Sequence, residues 1–144
     1  MNLVLDASVA GKWLLEESGS DKARAVFEKW NSGHLELIAP ALLLAEVASM
    51  LWKRAVRGLI PGGKALQLFE GFTKLRLDLV HIEGLAGSAL QLSVIYRRPF
   101  YDCLYVALAL ERHCDVLTAD ERLFRSFSPR LQQVRLLKDW SLDS

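Results

Sequence analysis

Short apolar runs alternate along this chain with stretches of helical periodicity, and no tight hairpin signal joins one run to the next. Strands joined through helices run parallel, and parallel strands are covered on both faces. The expected fold is therefore α/β, a central parallel sheet of four to five strands with helices on both faces. Strands are expected at Asn2–Leu5, Leu35–Ala39, Leu77–Ile82, Asp115–Thr118 and Val134–Leu137. Between them helical patterns cover Val9–Glu17 (with Ser8 as cap), Asp21–Trp30, Ala41–Arg57 (opened by Pro40), Gly62–Phe72, Ala86–Tyr96, Phe100–His113 and Glu121–Phe127.

The length of 144 residues suits one domain spanning 1–144, and no Gly/Ser-rich stretch marks a linker. At 51% hydrophobic and 24% charged residues the chain has the means to bury a core, which excludes disorder. Asp6, Glu46, Lys53 and Asp102 interrupt the apolar runs before any reaches membrane-spanning length. Met1–Val9 lacks the basic start of a signal peptide, and Cys103 and Cys114 are too few for a disulfide framework. A cytoplasmic protein without membrane contact is expected. The formal charge of +1 names no partner.

Four carboxylates stand in unusual company. Asp6 ends the first strand and Asp120 follows the fourth, while Glu46 and Asp102 sit in the two most apolar helical segments. Asp and Glu are rarely buried unless paired or metal-bound. Singly, each has an ordinary reading as turn residue, helix cap or solvated helix edge. Jointly they point elsewhere, because residues after parallel strands share one edge of the sheet and helices starting there can bring Glu46 and Asp102 to it. Two carboxylates about 5 Å apart repel by roughly 3 kcal/mol at an effective dielectric near 20. An oxygen-only acidic centre therefore calls for a hard cation, Mg²⁺ or Mn²⁺. His34, His81 and His113 are dispersed, and Cys103 with Cys114 lacks zinc spacing.

The residues around the acids fit metal-assisted phosphodiester hydrolysis. Ser8 and Thr118 lie within two residues of Asp6 and Asp120, placed to support the acids or to cap helices. Ser49, Lys53 and Arg57 follow Glu46 at offsets of three, seven and eleven on one helical face. With Lys12, Arg97 and Arg98 the bases form a cationic rim suited to a polyanion such as RNA, or simply a solvated surface. Trp13, Tyr101 and Tyr105 are either base-stacking platforms or core residues.

Leu5-Asp6-Ala7-Ser8, Pro40 with Glu46, Tyr101-Asp102-Cys103-Leu104-Tyr105-Val106-Ala107-Leu108-Ala109 and Leu117-Thr118-Ala119-Asp120-Glu121 together resemble the PIN domain, and more closely the VapC-type ribonuclease toxins of toxin–antitoxin pairs. The resemblance spans nearly the whole chain. It implies a metal-dependent endoribonuclease using Mg²⁺ or Mn²⁺, with Asp6, Glu46, Asp102 and Asp120 as catalytic, metal-binding acids. Ser8 and Thr118 would be their polar support. It also implies a homodimer, inhibition by a cognate antitoxin, and products with a 5′-phosphate and a 3′-hydroxyl. Ser49 stands where many relatives carry Asn, which alters the polar support around Glu46.

Leu43, Leu51, Trp52, Leu59, Phe69 and Phe72 are candidates either for a partner surface or for the core. Two other functions compete. A receiver-like or haloacid-dehalogenase-like phosphotransfer domain also places Asp after its first strand, but needs a second acid where Ala7 or Ser8 stands. A non-catalytic PIN-like module that binds RNA or protein has no need of four acids.

Overall fold

A computed structural model describes residues 1–142. The chain forms β1 (Asn2–Leu5), α1 (Ala7–Leu14), α2 (Ser20–Asn31), β2 (Glu36–Pro40), α3 (Leu42–Val56), α4 (Gly62–Thr73) and β3 (Asp78–Val80). It continues through α5 (Ala86–Tyr96), α6 (Phe100–Glu111), β4 (Asp115–Thr118), α7 (Glu121–Phe127) and β5 (Val134–Leu136), with 3₁₀ turns at Ile82–Gly84 and Leu137–Asp139. All strand pairs are parallel, in the order β3-β2-β1-β4-β5.

That order sets the position of the site. From β1 the chain moves outward through β2 and β3, then returns across the sheet to β4 on the other flank of β1. Right-handed crossovers place α1–α4 on one face and α5–α7 on the other. Packing agrees: Trp13 of α1 lies against Phe72 of α4, and Tyr96 of α5 against Phe127 of α7. The direction of winding reverses between β1 and β4, leaving a crevice at their carboxyl ends. Pairing of Val4 with Val116 and Leu5 with Leu117 brings Asp6 beside Thr118 at that crevice.

Leu3, Val4, Leu5, Val116 and Leu117 are fully shielded because helices cover both faces of the sheet. Helix α6 lies across β1, β2 and β4 and carries α5 on its back, which is why Cys103 to Ala109 are all buried. Helices α1 and α3 approach closely at Gly11, where an added Cβ would sit 2.7 Å from Met50 Sδ. Glu46 lies one turn before Met50 on α3, so this contact draws its face toward α1.

Several ends differ from expectation by a residue or two, with β3 shortened to Asp78–Val80 and α6 ending at Glu111, and three boundaries or caps differ in kind. Pro40 closes β2 instead of opening α3, and Ala41 N donates to Val80 O at 2.8 Å across the strand ends. Helix α1 is capped by Asp6, not Ser8, and ends at Leu14, where the extended backbone of Leu15 turns the chain. Helix α7 is capped by Asp120 and not by Thr118, whose hydroxyl is committed across the sheet. Of the partner-surface candidates, Leu43, Leu51 and Phe72 are core residues, Phe69 is half-buried, and Trp52 and Leu59 are exposed. Among the described residues, no helix is long and apolar enough to cross a membrane.

Leu117→Ala would open a cavity in the middle of the sheet. It should cost about 2–5 kcal/mol of unfolding free energy in urea titration. A cost below about 1 kcal/mol would contradict the close packing of this position.

Candidate active site

Asp6 is the anchor of the crevice. Its backbone N–H donates to Leu117 O at 3.1 Å, and its side chain caps α1 while remaining only 7% exposed. Oδ2 accepts from Ser8 Oγ at 2.5 Å and from Thr118 Oγ1 at 2.9 Å. Ser8 Oγ in turn accepts from Ala119 N at 2.8 Å, and Thr118 Oγ1 accepts from Asp120 N at 3.0 Å. Both hydroxyls thus tie the first strand end to the fourth, as supports of Asp6.

The other acids arrive from three helices. Glu46 Oε1 accepts from the buried Tyr105 hydroxyl at 2.5 Å, bridging α3 and α6. Asp102, in the first turn of α6, accepts from Arg98 Nη2 at 2.8 Å. Asp120 Oδ1 accepts from Arg122 N at 2.9 Å and Leu123 N at 3.3 Å at the start of α7. Each acid commits one oxygen to protein donors. Among the described residues, Asp6 Oδ1, Glu46 Oε2, Asp102 Oδ1 and Asp120 Oδ2 receive no donor.

These groups share one electrostatic field. Burial pushes the Glu46 carboxyl up to about 7, with the charges of Asp6 and Asp102 adding to the rise and the Tyr105 hydroxyl opposing it. Burial likewise raises Asp6, against its bonds from Ser8 and Thr118, and Asp102 raises it further. Asp102 is raised by burial and by Asp120, against the pull of Arg98. The carboxylates are therefore coupled along one edge of the sheet, Asp6 and Glu46 with Asp102, Glu46 with Asp6, and Asp102 with Asp120. They do not close into a ligand set as they stand: among the described residues, no group of three acid, His or Cys side chains is close enough to hold a metal ion. Two of the acids are held by bonds to Tyr105 and Arg98, and like charges oppose closer approach. In chemistry, an oxygen-only set with one open oxygen on each acid fits a hard divalent cation.

The PIN-domain family model matches residues 3–128 of the chain, from β1 to just past α7. The chain belongs to the PIN-domain family. It is 35% identical over 132 residues to Ribonuclease VapC3 from Pyrobaculum aerophilum, covering 88% of this chain and 95% of that protein. The crystal structure of PAE2754, also from Pyrobaculum aerophilum, shares the fold with a TM-score of 0.70 at 18% identity, over 96% of this chain and 85% of that one.

Several residues of this PIN domain take parts that differ from expectation. Ser49 is exposed and does not hydrogen-bond Glu46; Tyr105 does so instead. Lys12 is tied down, donating to Glu17 at 3.1 Å and to Ser18 O at 2.7 Å. Arg98 is the ion-pair partner of Asp102, with its Nε buried and lacking an acceptor among the described residues. Lys53, Arg57 and Arg97 are exposed. At about 1.5 Å rise per residue, α3 carries Lys53 roughly 10 Å beyond Glu46. Trp13 stacks on Trp30 and donates from Nε1 to Ala23 O at 2.8 Å, so it is a packing residue. Tyr101 remains exposed. Composition offered no sign of the Tyr105–Glu46 bond, but spacing held a hint. Tyr105 lies three residues after Asp102 on the same helical face, and a buried tyrosine hydroxyl needs a partner.

This electrostatic arrangement makes stability depend on pH. In the unfolded chain Glu46 ionises near 4.5, in the fold near 7. The unfolded state therefore binds fewer protons across that window, and stability falls as pH rises through it. Asp6 and Asp102 act in the same sense. The melting temperature in EDTA should drop between pH 5 and pH 8; a rise would show that the acids do not repel as described. In addition, Tyr105→Phe removes the donor that lowers the Glu46 pKa. Carboxyl-carbon NMR titration should find Glu46 above about 7 in that variant, and an unchanged or lower value would exclude the bond.

Proposed function

We propose that this PIN domain is a metal-dependent endoribonuclease, the toxin of a type II toxin–antitoxin pair, acting in the cytoplasm as one domain over residues 1–144. The observation that carries the reading is the set of four acids at the β1–β4 crevice, each with one oxygen bonded by the protein and one open. The similarity to Ribonuclease VapC3 supports RNA as the substrate.

Asp6, Glu46, Asp102 and Asp120 would hold Mg²⁺ or Mn²⁺, which activates water and stabilises charge on the transferring phosphoryl group when bound. The protein supplies orientation. Ser8 and Thr118 fix the Asp6 carboxylate, Tyr105 holds Glu46 at the crevice, and the backbone of α7 fixes Asp120. Arg98 offsets the charge of Asp102 and would offer a guanidinium to a phosphate bound at the acids. Ser49, without a bond to Glu46, has at most a solvent-mediated part. Lys53, Arg57 and Arg97 provide positive charge farther out, which favours encounter with RNA.

The apolar faces support protein partners. Trp52, Val56, Leu59 and Leu66 are exposed on and beside α3 and α4, and Leu90, Val94 and Ile95 on α5. Such faces suit a homodimer and a cognate antitoxin.

Purified protein should cut RNA in Mg²⁺ or Mn²⁺ and stop in excess EDTA. Asp102→Asn should lower the cleavage rate at least about 100-fold with an unchanged circular dichroism spectrum. Full activity of that variant, or cutting undiminished in EDTA, removes the metal mechanism. RNA left intact after long incubation with Mn²⁺ favours a binding module instead.

A further inference from the structure

A second recess lies beside the carboxylates. It is a cleft of about 420 Å³ between the α1–α2 turn, the loop after β4 and the 3₁₀ turn after β5. Its walls carry Lys12, Lys22 and Lys138, and among the described lining residues Glu121 is the one acid. Its floor is apolar where Leu136, Leu137 and Ala119 meet. Ala119 joins it to the candidate active site, since its N–H donates to Ser8 Oγ and it lies between Thr118 and Asp120.

The lysines are held without being exhausted. An ammonium has three donors. Lys22 uses one on Lys138 O at 2.7 Å, and among the described residues no carboxylate pairs with it. Lys138 pairs with Glu121 at 3.2 Å, while Lys12 pairs with Glu17 at 3.1 Å and also donates to Ser18 O. The Lys22 bond also fixes α2 against the turn after β5, so the charges stand on connected backbone. Gly19 lines the cleft at the α1–α2 turn. Its φ of +87° disfavours any other residue, and a Cβ there would sit 3.5 Å from Lys12 Cε and 3.8 Å from Leu137 Cδ2.

A volume within the range of about 300–1,000 Å³, an apolar floor and a cationic wall match a nucleotide better than a bare anion. We propose that this cleft is a nucleotide subsite, seating one unit of the RNA strand next to the bond placed at the acids. Its base or ribose packs over Leu136, Leu137 and Ala119, and its phosphate lies among the three lysines. The proposal rests on the nuclease reading above, and it adds Lys22 and Lys138 to the residues that hold substrate.

The test is binding of a fluorescent single-stranded oligoribonucleotide by the Asp102→Asn protein, followed by anisotropy over a range of salt. Adding Lys22→Gln and Lys138→Gln should weaken binding roughly tenfold at low salt and make the log–log salt slope shallower by about 0.7 for each phosphate that no longer meets a lysine. Thermal melts check that the variants fold, and Lys138→Arg, which keeps the charge, should retain most of the affinity. Equal affinity and slope with and without the two lysines overturn the subsite. So does an acidic peptide that needs the two lysines while RNA does not. Wild-type protein that fails to cut RNA overturns the nuclease reading instead, an outcome independent of binding by the variant.

Discussion

Asp6 is a carboxylate placed where the sheet is most enclosed, and the rest of the site is arranged around making that tolerable. Two hydroxyls, from Ser8 and Thr118, bind one of its oxygens, and those hydroxyls are themselves fixed by the backbone N–H groups of Ala119 and Asp120. Removing any one of these bonds would leave a buried polar group short of a partner. The β1–β4 junction is thus both the structural centre of the sheet and the most electrostatically demanding part of the protein.

Stability and chemistry pull against each other here. Burial raises the carboxyls of Asp6, Glu46 and Asp102, and each carboxylate makes its neighbours harder to ionise. The hydrophobic burial of the sheet and α6 offsets that cost in the stability of the fold. Tyr105 and Arg98 act locally, one through a hydrogen bond and one through charge. One oxygen of each acid is left without a protein donor among the described residues.

Much of this was legible in the chain. The five strands follow from short apolar runs, their parallel pairing from the helices between them and the lack of hairpin signals, and most helix limits from period-3.6 patterns, all of which depend on residues close in the chain. The acids were visible through context, since a carboxylate inside Ala41 to Leu51 or Phe100 to Ala109 conflicts with its neighbours. Misplaced boundaries fell where a side chain had two local options. Ser8 and Thr118 are both plausible caps, yet each is claimed by a partner more than 100 positions away.

The sequence by itself determined the fold class, the alternation of elements and the identity of the unusual acids, because each depends on short-range periodicity and on the cost of charge in apolar surroundings. Tertiary structure decided the strand order, and through it the crevice between β1 and β4. It also decided that Tyr105 reaches Glu46 across 59 positions, that Arg98 pairs with Asp102, and that three lysines gather at one cleft. Those pairings depend on the register and crossing of elements distant in sequence, which no local pattern encodes.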